Sequence, residues 1–209
     1  MAAPSKYLGL ALLCILGIAG GATLGVWRHP GPTVELATGT FLTPSHNLPD
    51  FSLIDQHGRI FGSAELRGHW SLLFFGYMNC PDFCPTTLTT LAALQKRLRA
   101  TGGAVLPRVI FVSVDAKRDT PAQLAKYVPY FDPDFIGLTA ADQPSVEAVA
   151  KKLGVSVLIV PTADGNYTVD HSEAMFVLNP DGRLTAILNG PFSVDVLQDD
   201  LRRIVAAAS

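Results

Sequence analysis

The sequence predicts an α/β domain: a mixed sheet with flanking helices, its central strands buried on both faces. Three observations carry this. The continuous apolar runs "WSLLFF" (70–75), "VIFVSV" (109–114) and "VSVLIV" (155–160) have the pattern of strands covered from both sides. Stretches of helical spacing alternate with those runs, as layered α/β domains require. Near the end, "AMFVLN" and "RLTAIL" flank the turn "NPDG", which is an antiparallel pair and makes the sheet mixed.

The elements follow in order. Residues 1–7 are a short polar start, expected to be the cytoplasmic end. Residues 8–27, "LGLALLCILGIAGGATLGVW", carry no charge and are bracketed by Lys6 and Arg28. Twenty residues at about 1.5 Å each span the roughly 30 Å hydrocarbon layer, so a transmembrane anchor is expected, with Trp27 at the interface. A cleaved signal peptide ending near "GGA" (20–22) competes with this, but the apolar run continues through Leu24, Val26 and Trp27. Cys14 lies inside the run behind Leu13, not behind the small residue of a lipoprotein signal, and reads as an apolar membrane residue. Residues 28–47, with prolines at 30, 32 and 44 and no sustained apolar period, read as a tether. The folded domain is expected over 48–209.

Within that domain "FSLID" and "RIF" flank "QHG" and predict a hairpin. Leu88, Leu91, Leu94 and Leu98 keep helical spacing until Gly102 and Gly103. Thr120 with Pro121, and Asp142 with Pro144, are start signals for two further helices, the second ending at Gly154. Ser193 opens a last helix carrying Val194, Leu197, Leu201 and Ile204. Buried strands with a cysteine pair just past one of them predict a thioredoxin-like fold. The pair would then lie at the carboxyl end of that strand, where α/β sheets place their sites.

Composition excludes some functions. Hydrophobic residues make up 48% and charged ones 16%, enough for a sizeable core. The net charge is −2 with no clustered Lys and Arg, so no nucleic-acid partner is expected. Two cysteines outside the apolar segment are too few for a disulfide scaffold but suffice for one bridge or one site.

Those two stand in "GYMNCPDFCPTTL" (76–88), each followed by proline. Proline biases both away from helical backbone angles, so Cys84 is expected as the N-cap of the Leu88–Leu98 helix with Pro85 its first residue. A thiolate at that helix start should have a depressed pKa. The pair is open to three uses: a reversible disulfide, a peroxide-reducing thiol, or two ligands for a soft metal such as Cu(I) or zinc. A peroxidase would carry threonine three residues before its reactive cysteine, whereas Tyr77 and Pro81 stand there. A general thioredoxin-type oxidoreductase has two residues between its cysteines and a facing cis-proline; here three intervene, and "HSEAMF" has no proline. A plain structural disulfide explains the cysteines alone.

Two cysteines do not complete a structural zinc site. Among the histidines, His29, His46, His57 and His69 sit in tether, polar, turn or strand-start sequence and read as solvated. His171 is the candidate third partner, because it stands at the mouth of the strand 174–179. Met78, two before Cys80, is a soft donor or a packing residue. Asp115 and Asp119 leave the 109–114 strand at the same sheet edge: Asp119 beside the helix start, Asp115 as a turn former or an electrostatic influence on the site.

"FGYMNCPDFCP", "SVDAKRDTP" and "VDHSEAMFVLNPDGRL", in that order behind an N-terminal anchor, resemble the Sco (SenC) family over roughly residues 38–206. That resemblance implies a copper chaperone with a thioredoxin-like fold, concerned with assembly of the copper A centre of cytochrome c oxidase. It implies Cys80, Cys84 and His171 as copper ligands, for Cu(I) or Cu(II), with Cys80 and Cys84 also a redox-active pair. The implied partners are the oxidase subunit carrying copper A, a periplasmic thiol reductant or another copper chaperone, and the membrane. Met78 departs from the family's usual threonine and Ala116 from its usual proline. Lys6 is the only basic residue before the apolar run, which favours a bacterial cytoplasmic-membrane protein, single-pass, with its C-terminal domain on the periplasmic side. The alternative reading is a thiol-disulfide reductase acting on a partner's cysteines.

Overall fold

The structure is a computed structural model and describes residues 34–102 and 105–208. The expected anchor at 8–27, Cys14 and His29 lie outside the described residues. Among the described residues no helix is long and apolar enough to cross a membrane.

The chain runs β1 (Gly39–Asn47), β2 (Ser52–Asp55), β3 (Ile60–Gly62), a short 3-10 turn (Ser63–Leu66), β4 (Ser71–Gly76), α1 (Phe83–Thr101), β5 (Arg108–Ser113), α2 (Pro121–Phe131), β6 (Ile136–Thr139), α3 (Gln143–Lys152), β7 (Val157–Pro161), β8 (Tyr167–His171), β9 (Ala174–Leu178), β10 (Arg183–Asn189) and α4 (Val194–Ala208). Eight strands form one sheet in the order β1-β10-β9-β4-β5-β6-β2-β3. The pairs β4–β5 and β5–β6 are parallel, and β4–β9 is antiparallel, so the sheet is mixed as expected. A separate two-stranded antiparallel sheet, β7–β8, pairs Val157 with His171 and Pro161 with Tyr167.

Every residue of β4 is buried, which is why its sequence is a continuous apolar run. Its side chains alternate between two cores. Leu72 and Phe74 face α1, α2 and α4 with Leu88, Leu124 and Leu197, whereas Leu73 and Phe75 face α3 with Val146 and Val149. Thr120 caps α2 by accepting the Gln123 N–H, with Pro121 in the first turn. Asp142 does the same for α3 through Ser145 N–H at 2.8 Å. Gly102 closes α1 in the left-handed conformation, φ 60°.

Four strands differ from expectation. Residues 39–47, assigned above to the tether, form β1 on the sheet edge against β10. The buried Asp200 of α4 stitches the entry to that strand by accepting the N–H groups of Ala37 (2.8 Å) and Thr38 (3.0 Å) and the Thr38 hydroxyl (2.7 Å). An edge strand held by backbone pairing needs no apolar period, and so leaves none in the sequence. The short β6 and the half-exposed β8 were also unexpected. β7 was expected as a buried strand but forms a hairpin with β8, leaving Leu158 60% exposed.

Candidate functional site: two thiols and an imidazole

Strand β4 ends at Gly76, and the chain turns through Tyr77–Asn79 to Cys80, whose N–H donates to the Tyr77 carbonyl at 3.2 Å. Cys84 is fully buried and Cys80 half-buried; both are free thiols. The helix start differs from expectation: Asp82 is the N-cap and Cys84 lies inside the first turn of α1. Pro85 follows it, at a position whose N–H has no partner within the helix. The Asp82 side chain makes no capping bond to the backbone. Instead the Cys84 N–H donates to Cys80 Sγ at 3.4 Å. The sulfur that collects the helix-start amides is therefore that of Cys80.

This reverses the expected charge assignment. The Cys80 thiol is held down to about 5, first by a hydrogen bond from the Cys84 thiol, then by the backbone N–H groups of Cys84 and Asp82 and by the charge of His171 when protonated. The Cys84 thiol is pushed well above its ordinary value, because it donates to Cys80 and because it is buried. The pair thus shares one proton, kept on the inner sulfur. Cys80 in the metal-free, reduced protein should accordingly alkylate with iodoacetamide at a rate that is flat from pH 9 to pH 7. The rate should fall with a midpoint near 5. A midpoint near the ordinary 9.0 would contradict the thiolate assignment.

His171, at the end of β8, brings Nε2 to 3.9 Å from Cys84 Sγ. Its Nδ1 lies 3.1 Å from the Ser172 carbonyl. A carbonyl only accepts, so Nδ1 carries the proton in the neutral ring and the Nε2 lone pair faces the buried thiol. Tyr77 and Phe83 stand edge-on to the imidazole, with ring centroids 6.1 and 6.5 Å away. Phe192 lies against Phe83 with the two rings tilted and their centroids 6.3 Å apart. Neither Tyr77 nor Phe83 was singled out from sequence, because nothing in their spacing marks a wall around a histidine.

The other candidates separate cleanly. His46, His57 and His69 are exposed. Met78 packs against the core cluster containing Cys84, and its N–H donates to Asp119 Oδ2 at 2.8 Å. Asp119 is buried, also accepts the Ser113 hydroxyl at 2.6 Å, and has its pKa raised by that burial. Its role is thus to hold the cysteine loop, more than to start α2. Asp115, also buried, accepts from the Arg118 guanidinium and from the Tyr167 hydroxyl at 2.9 Å. Among the described residues no group of three or more His, Cys, Asp or Glu side chains is already drawn together around a metal-sized space. The arrangement holds two soft sulfur donors and one imidazole nitrogen in adjacent pairs.

A family model described as SCO1/SenC matches residues 42–206. Protein SCO2 homolog, mitochondrial, of Bos taurus is 38% identical over 159 residues, 76% of this chain, and the chain spans 59% of that relative's length. A Stutzerimonas stutzeri protein whose name describes it as copper-binding is 35% identical over 196 residues, 94% of this chain and 92% of its own length. The crystal structure of Arabidopsis thaliana ScoI with copper bound superposes with a TM-score of 0.71 at 34% identity, covering 76% of this chain and 97% of that one. The span matched by the family model contains the cysteine loop and the β7–β8 hairpin. The chain belongs to the SCO1/SenC family.

Proposed function

We propose that this protein binds copper through Cys80, Cys84 and His171 and delivers it to, or matures, the copper A site of cytochrome c oxidase, from a membrane anchor at residues 8–27. The observation that carries the ligand set is the lone pair of His171 Nε2 aimed at Cys84 Sγ across 3.9 Å. Metal–sulfur and metal–nitrogen distances of roughly 2.0–2.3 Å make such a gap wide enough for one ion between the two atoms. Thiolates and a neutral imidazole suit Cu(I), and the imidazole also suits Cu(II). Relatives named as copper-binding or solved with copper bound support the same reading. Copper here is cargo: a half-exposed Cys80 gives a partner's ligands access for exchange.

The second reading rests on the unequal thiols. The Cys80 thiolate attacks one sulfur of a partner's disulfide, forming a mixed disulfide and releasing one partner thiolate. Cys84, losing its proton, then attacks Cys80 Sγ, so that a Cys80–Cys84 disulfide forms and the second partner thiol leaves. The protein's two thiols are oxidised and the partner's disulfide is reduced by the same two electrons. A periplasmic reductant would reset the pair. The disulfide removes both thiolates, so copper loading and redox state are linked in either case.

His171→Ala separates the two. Copper chaperoning predicts weaker Cu(II) binding, a changed Cu(II) spectrum and impaired copper A assembly, with disulfide exchange kept within about threefold because both cysteines remain. Wild-type copper binding and full assembly activity in His171→Ala would remove His171 from the ligand set and leave the thiol reductase.

A further inference from the structure

The loop "SVDAKRD" (113–119) after β5 touches both halves of the site. On one side Asp119 holds the Met78 N–H, two residues before Cys80. On the other, Arg118 reaches the β7–β8 hairpin. Its guanidinium carbon lies 3.7 Å from the centroid of the Tyr167 ring. Its Nη1 donates to Asn166 Oδ1 at 3.2 Å and to the Tyr167 carbonyl at 3.1 Å, and its Nε donates to Asp115. Asp115 in turn accepts the Tyr167 hydroxyl, so ring, hydroxyl and backbone of one residue are all held. Nη2 is buried without a conventional hydrogen-bond partner, as a guanidinium laid on a ring face rather than forked onto a carboxylate would leave it.

That hairpin has no strand pairing to the eight-stranded sheet. Its placement therefore depends on side-chain contacts. Tyr167, Val169 and His171 share one face of β8, because alternate residues of a strand point the same way. Val169 is buried, and a grip on Tyr167 fixes the plane of that face.

We propose that Arg118 is a positioning residue: by clamping Tyr167 it sets the approach of His171 Nε2 to Cys84 Sγ. This rests on the reading of His171 as a copper ligand, and the test separates the two. In the metal-free full chain, Arg118→Met keeps length and apolar stem but removes the planar donors. Amides of 157–171 should then exchange with solvent about tenfold faster, while those of β4 and β5 stay unchanged. Titrated with Cu(II) ion alone, Arg118→Met should bind about tenfold more weakly with an altered spectrum, and in a His171→Ala background it should cause no further loss. Arg118→Lys, which keeps the charge without the fork, should behave like Arg118→Met. Should Arg118→Met fold poorly, Tyr167→Leu applies the same test from the other side of the clamp. Unchanged hairpin exchange overturns the proposal, and so does an equal copper loss in both backgrounds. If His171→Ala by itself leaves Cu(II) binding unchanged, the ligand reading falls, and Arg118's role in ligation falls with it.

Discussion

Cys84→Ser is expected to weaken copper binding by on the order of 100-fold or more, because a hydroxyl replaces a thiolate as donor to a soft ion. The loss should exceed that in His171→Ala, since two thiolates dominate Cu(I) binding and the imidazole matters more for Cu(II). The substitution also has a signature that needs no copper. Cys84 donates the hydrogen bond that stabilises the Cys80 thiolate most, and a serine hydroxyl, carried on a C–O bond shorter than C–S, reaches less far toward that sulfur. The alkylation midpoint of Cys80 should therefore rise above about 5. Serine at a fully buried position costs about 1–3 kcal/mol in stability if its hydroxyl lacks a partner, so thermal unfolding must accompany the titration. Competition with a Cu(I) chelator measures the affinity. Copper binding equal to the parent protein in Cys84→Ser would show that the inner sulfur is not a ligand.

Gly76→Ala should damage the fold and the site together. Gly76 ends β4 beneath the cysteine loop, and a Cβ built there falls 2.6 Å from Phe111 Cε2 and 2.7 Å from Cys84 Sγ. Neither neighbour is the loose end of a flexible chain: Phe111 and Cys84 are both fully buried. Overpacking of this kind costs about 1–3 kcal/mol, or roughly 2–12 °C in Tm for a domain of this size. Because one of the two clashes is with the sulfur, copper affinity should fall as well. Unchanged melting and unchanged copper binding would mean that the β4 end and α1 move apart freely, contrary to the packing seen.

Much of the scaffold was legible in the sequence for identifiable reasons. Strands buried on both faces leave continuous apolar runs, so β4 and β5 were found within a residue or two. Capping is local chemistry, so Thr120, Asp142 and Gly102 marked their helix ends correctly. The edge strand β1 and the half-exposed β8 left no such mark, because backbone pairing imposes little on side-chain pattern. The cysteine loop is legible from two X-Pro steps after a strand; His171 stands out by its place before the 174–179 strand, and the family likeness adds its reading as a ligand.

What the chain by itself determined, then, is the order of elements, the two sulfurs at the end of β4, and the histidine before β9. Only the folded structure decided which sulfur carries the charge. The first turn of α1 starts two residues earlier than the prolines suggest, which buries Cys84 and turns its amide onto Cys80. It also decided that His171, 87 residues along the chain, meets Cys84 with its unprotonated nitrogen. Both are outcomes of packing between segments distant in sequence. Burial and hydrogen-bond direction are properties of neighbours in space, and no spacing of residues along the chain encodes them.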